Sequence, residues 1–243
     1  MSDNQKTLNS SIEFTGVGLH TGEGVHMVIE PAKINHGVKF QRIDLENQPI
    51  LPADINLVTD TQRSTTLEKD NVKIVTVEHL MSALYALGVN NVLIKMDSSE
   101  VPILDGSAKY FVEEIQKVGL KVQDAPLKYI DLPDPIHYTD PDSGSEILFV
   151  PTNNFIISVV LDYQNLALGT QYAEIRDLKD YSTEIAPCKT FVFLTELEKL
   201  SKANLIKGGG LENAIVVVDR EDTKPSEIKK LAHLLGKDGS DIQ

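Results

Sequence analysis

Residues 76–93 read TVEHLMSALYALGVNNVL, an apolar helix pattern that runs into the strand-like NVLIKM of residues 91–96. Leu80, Leu84 and Leu87 recur at helical spacing, Met81, Ala83 and Ala86 fill between them, and Gly88 supplies a stop. The spacing predicts a helix over about 78–87, with Thr76 placed to cap it by accepting an early backbone N–H. A helix this apolar is buried. Its two polar first-turn residues, Glu78 and His79, therefore lie where a core meets solvent, another domain or a site.

Outward from this stretch, strands outnumber helices. SIEFTGVGL (11–19), HMVIEP (26–31), GVKFQRI (37–43) and VKIVTV (72–77) precede it, and a second helix is expected over about 107–118. After QDAPLKY (123–129), strand-like runs resume as KYIDL (128–132), SEILFV (145–150), FIISVVLDY (155–163) and AEIRDL (173–178). A helix over about 195–203, the strand AIVVVD (214–219) and a last helix over about 226–235 complete the order. Strands then helices, twice over, predict an α+β protein of two domains, 1–125 and 126–243.

The 243 residues are 41% hydrophobic and 24% charged, ordinary values for a soluble globular chain. A single cysteine, Cys188, excludes an internal disulfide and suits a reducing compartment. The polar start MSDNQKTLNS lacks the apolar stretch of a signal peptide, and no run approaches the roughly 20 residues of a membrane span. A cytoplasmic protein is expected. The net charge of −13 argues against a nucleic-acid partner, which needs clustered Lys and Arg.

Adjacent helical residues point about 100° apart, so Glu78 and His79 cannot share one ion as an i, i+4 pair does. His79 could hold a metal while Glu78 reaches water bound to it; taken alone, however, the dipeptide reads as a structural pair. TGVGLHTG (15–22) reads as a glycine-punctuated hairpin loop. EVPILDGSAKYFV (100–112) carries Asp105 and Ser107 as an N-cap arrangement. CKTFVF (188–193) puts Thr190 at an apolar strand end, where its hydroxyl needs a partner or a ligand. KGGGLENAIVVVD (207–219) has three glycines that permit close backbone approach.

Together and in this order, TGVGLHTG, TVEHL, ALGVNN, PILDGSA, KTF and GGGLENAIVV resemble the zinc-dependent UDP-3-O-acyl-N-acetylglucosamine deacetylases of lipid A biosynthesis, from about Thr7 to Asp219. The resemblance implies two layered sheet-plus-helix domains (ribosomal protein S5 domain 2-like) with the active site between them. It implies hydrolysis of the N-acetyl group of a UDP-sugar bearing a 3-O-acyl chain. By that resemblance His79 is a zinc ligand, Glu78 the general base and Thr190 a stabiliser of the oxyanion. Phe191 packs against substrate, and Leu19, Leu197, Leu200, Gly209, Gly210 and Ala214 build an apolar passage for the acyl chain. Asp105 is read as structural support.

The family's remaining zinc ligands are expected beyond Gln243. The only histidine after Arg220 is His233, and Asp238 lies past Gly236, so these two do not share a helix face. The second domain is therefore expected to be incomplete and this chain alone inactive, with zinc as the cofactor of the complete protein. NAIVVVDRE most resembles forms fused to a 3-hydroxyacyl-carrier-protein dehydratase. The alternative is a catalytically silent relative that binds the nucleotide sugar.

Overall fold

The computed structural model describes residues 4–130, 132–164, 168–202, 207–210 and 212–219, without the side chains of 198 and 200–202. In chain order the strands begin with β1 (Asn4–Leu8), β2 (Ile12–Val17), β3 (Gly24–Pro31), β4 (Val38–Arg42) and β5 (Ile50–Pro52). A 3₁₀ turn (Ile55–Leu57) leads into β6 (Val58–Asp60), β7 (Thr66–Lys69) and β8 (Val72–Ile74). Then come α1 (Glu78–Ala86), β9 (Val92–Met96), α2 (Lys109–Val118) and β10 (Leu120–Pro126).

Alternation makes the central sheet. In β3, Val25, Met27 and Ile29 are buried between more exposed neighbours, and in β9 Val92, Ile94 and Met96 are buried. The order is β2-β3-β9-β4-β5, antiparallel except for the parallel β4–β9 pair. Leu80, Ala83 and Leu84 of α1 and Phe111, Val112 and Ile115 of α2 join these strand residues in one core. Phe14 meets Phe111 edge-on, ring centroids 5.0 Å apart. Each of the larger side chains, fully buried, contributes about 1.5–3 kcal/mol.

β1 was not visible as a strand because two of its three buried residues, Gln5 and Thr7, are polar. Gln5 and Thr7 are buried and satisfied: Gln5 Nε2 donates to Asn35 (2.9 Å), and Thr7 Oγ1 donates to the Asn91 carbonyl (2.6 Å). Asn91 Nδ2 in turn reaches Gln5 (2.8 Å) and Gln123 on β10 (2.7 Å). β1 pairs antiparallel with β10, so Asn4 lies opposite Pro126. β6, β7 and β8 form a small antiparallel sheet that delivers the chain to α1.

Beyond Pro126, the described residues form paired strands. β11 (Ile136–Thr139) and β12 (Glu146–Phe149) make one exposed hairpin; β13 (Ile157–Asp162) and β14 (Thr170–Ile175) make a second. Ile175, Tyr181 and Ala186 join the first core, and Tyr181 Oη hydrogen-bonds Ser82 Oγ on α1 at 2.7 Å. β15 (Phe191–Phe193), α3 (Leu194–Lys202) and β16 (Ile215–Val217) follow, with β15 and β16 parallel. Leu194 and Leu197 of α3 pack against Val192 and Val216.

This is the expected α+β class, with both early helices where the periodicity put them. Three expectations change. Lys128–Ile130 form no strand, since nothing pairs with them among the described residues. Thr76 does not cap α1: Val77 is the N-cap residue, no side chain caps the helix, and the Thr76 hydroxyl instead donates to Glu100. Ser107 accepts the Lys109 N–H at 3.2 Å, but Ala108 is the N-cap residue of α2. The helix expected over 226–235, with His233 and Asp238, lies outside the described residues. Among those residues no helix is long and apolar enough to cross a membrane.

Candidate active site

Seven of the candidate site residues meet at one place. Leu19, Thr190, Phe191, Leu197, Gly209, Gly210 and Ala214 line a cavity of about 80 Å³ together with His20, Arg63, Val192 and Val216. The side chain of Leu200 lies outside the described residues. The assembly draws on the β2–β3 loop, the β6–β7 loop, β15, α3 and the glycine segment before β16. A largely apolar pocket with a few polar groups is the usual form of a ligand site.

Backbone contact brings the halves together. Gly208 N–H donates to the Leu19 carbonyl at 3.0 Å, and a Cβ on Gly208 would collide with the Gly18 carbonyl oxygen. Gly106, at φ +80°, packs so closely on Asn213 that a Cβ there would strike its carbonyl. Thr190 N–H donates to the Gly106 carbonyl at 2.8 Å, and the Thr190 carbonyl accepts from Ile215 N–H at 3.0 Å. The Thr190 backbone is thus fixed on both sides.

Glu78 and His79 begin α1 as the sequence predicts, but they do not line this cavity. The Thr65 N–H donates to Glu78 Oε2 at 2.9 Å, tying the carboxylate to the same β6–β7 loop that carries Arg63. Arg63 in turn pairs with Glu196 on α3 at 3.0 Å. Burial pushes the His79 imidazole below its ordinary pKa, against the opposing pull of the Glu78 and Asp105 carboxylates. It is therefore neutral near pH 7, the form that donates a lone pair. Asp105 accepts from Ser107 N–H (3.2 Å) and Oγ–H (2.7 Å) and lies 3.8 Å from Lys189 Nζ, which agrees with structural support.

A catalytic zinc takes three protein donors. Among the described residues, no group of three His, Cys, Asp or Glu converges in this way. His79 with its neighbouring carboxylate therefore fits one part of a zinc site, and the described residues by themselves do not fit the ion.

The lining residues Arg63, Val192 and Val216 were not singled out in the sequence, and neither were His20 and Glu100. His20 lines the cavity, and its Nε2 is buried without a hydrogen bond among the described residues. Glu100 is fully buried and joins the β2–β3 loop to Thr76. Its signal was present as an acid ahead of the apolar run Val101–Ile103. Thr76 itself sits at φ +61°, where a β-branched residue is a genuine outlier of order 1–3 kcal/mol.

A family model described as LpxC: UDP-3-O-acyl N-acetylglycosamine deacetylase matches residues 5–230. The chain is 45% identical to the bifunctional enzyme LpxC/FabZ of Bacteroides thetaiotaomicron over 232 residues, covering 96% of this chain and 50% of that protein. The corresponding protein of Chlorobaculum tepidum is 38% identical over 239 residues, covering 98% and 51%. The UDP-3-O-acyl-N-acetylglucosamine deacetylase of Chromohalobacter salexigens is 42% identical over 222 residues, covering 88% and 71%. The chain thus spans about half the length of the bifunctional relatives it matches. With the family model matched across nearly its whole length, the chain belongs to the LpxC family of UDP-3-O-acyl N-acetylglycosamine deacetylases.

Proposed function

We propose that the complete protein hydrolyses the N-acetyl group of UDP-3-O-acyl-N-acetylglucosamine in lipid A biosynthesis. The observation that carries this reading is the apolar cavity built from Leu19, Phe191, Leu197, Gly209, Gly210 and Ala214, with Thr190 on its wall. Small residues along it leave room for methylene groups, each contributing about 0.8 kcal/mol when buried.

The roles follow from the atoms available. Glu78 Oε2 is held by the Thr65 amide, while Oε1 makes no hydrogen bond among the described residues and is the atom that accepts a proton from attacking water. The Thr190 hydroxyl likewise has no partner among them and donates to the oxyanion that develops on the amide carbonyl. Neutral His79 serves as one zinc ligand, the others lying outside the described residues. Zinc, when bound, acidifies water and polarises the amide. The bifunctional LpxC/FabZ relatives support a fused complete form, whose second enzyme the sequence resemblance makes a dehydratase.

The test is acetate release from UDP-3-O-acyl-N-acetylglucosamine by the metal-loaded, full-length gene product. Stoichiometric release with a free amine on the sugar is expected. Tight binding of the nucleotide sugar without acetate would instead make the protein a silent binder, and neither binding nor release would remove the reading.

A further inference from the structure

Glu100 has no exposed surface, yet four donors converge on its carboxylate. His20 N–H reaches both oxygens, at 3.0 and 3.2 Å, and Thr21 supplies its N–H at 2.9 Å and its hydroxyl at 2.8 Å. The fourth donor is the Thr76 hydroxyl, at 2.8 Å. The first three belong to the loop whose Leu19 and His20 wall the cavity; the fourth belongs to the residue two places before Glu78. An apolar side chain would fill the same space, so shape alone does not call for an acid here. What the acid adds is a fully satisfied polar network that admits one arrangement of its donors.

We propose that Glu100 is a positioning residue that holds the Leu19–Thr21 wall in register with the Glu78–His79 pair at the start of α1. The proposal rests on the deacetylase reading of that site. Thr76 makes it specific. Its left-handed backbone sets the direction in which α1 begins, and its hydroxyl bond to Glu100 holds it there. The same carboxylate, through the backbone of His20 and Thr21, fixes the far wall. One buried group thereby aligns the reacting end of a substrate with the channel that takes its chain.

Glu100→Gln keeps the shape but turns an acceptor into a donor that faces other donors. In the full-length gene product, this change is expected to lower kcat about 10- to 100-fold, the usual effect of misplacing a reactive group by an ångström. It should also raise KM more for a long-chain than for a short-chain substrate. Thr76→Val removes only the α1 side of the network and should lower kcat with the chain-length ratio of KM unchanged, while Thr76→Ser recovers most of the loss. General destabilisation would not divide the effects in this way. Amide hydrogen exchange gives a reading that needs no activity: in Glu100→Gln the 19–21 and 77–81 segments should lose protection together while α2 keeps its own. If the unaltered protein releases no acetate, the functional reading fails, and exchange alone decides the positioning role. Unchanged protection in both segments, or a folded Glu100→Gln with parental kcat and chain-length ratio, overturns the proposal. Should that variant not fold, equal kcat for Thr76→Val and Thr76→Ser overturns it.

Discussion

The Thr65 amide holds one oxygen of Glu78, and an amide oxygen can accept the same bond, so Glu78→Gln should leave the start of α1 in place. What it removes is an atom able to take a proton from water. In the full-length protein we expect an unchanged melting temperature and a kcat lowered about 100- to 10,000-fold, measured as acetate release. Near-parental turnover would give the base role to another residue. A second residue-scale effect concerns stability alone. Arg42, nearly buried, grips Asp44 through Nε (2.8 Å) and Nη2 (2.6 Å) and holds its carboxyl below the ordinary value of 3.8. The folded state therefore binds fewer protons than the unfolded one near and below that pH. The contribution is fully present above the ordinary value and is lost as pH falls through the lower folded value. Asp44→Asn should be less stable than the parent at pH 7, and the gap in urea midpoint should narrow below about pH 4. A gap that stays constant with pH would show that the ion pair contributes nothing.

Elements differ in how openly the sequence declares them. α1, β3 and β9 were legible because their apolar spacing matches the face they bury. β1 and β10 were not, because Gln5, Thr7 and Gln123 do the work that leucines do elsewhere, and a polar ladder carries no hydrophobic period. The failed cap at Thr76 has the same origin: a hydroxyl before a helix suggests capping, but a partner 24 residues away wins it. Of the candidate site, the family motifs supplied Thr190, Phe191 and the small residues of the cavity wall, whereas Glu100 is bonded only to partners distant in sequence. The parallel pair β15–β16 and α3 between them carry the apolar cavity, so Ala214→Leu places bulk beside it without touching Glu78 or His79. We expect a higher Michaelis constant for long-chain substrates than for short ones, with kcat little changed. If the segment is ordinary packing, overfilling costs about 1–3 kcal/mol of stability and affects both chain lengths alike.

For the molecule as a whole, buried residues are unevenly shared. The first core takes its members chiefly from Leu8 to Ile115, with Ile175, Tyr181 and Ala186 as later additions. β11, β12 and β13 are exposed along their whole length. Local opening there exposes little that was hidden, so it costs little. Among the described residues, limited proteolysis should cut first within 136–164 and leave the segment up to Pro126 resistant. Earlier cleavage inside β3 or β9 would contradict this order.

The pairing of β1 with β10 has a consequence for how the protein is made. Translation proceeds from the N-terminus, and Leu8 leaves the ribosome about 110 residues ahead of its partner Leu120. At about 5–20 residues per second, that is a delay of roughly 6 to 22 s. Throughout it, β1 lacks the strand it pairs with. β1 thus stays without a strand partner until β10 is made, and that interval is open to a nascent-chain factor that shields polar strands.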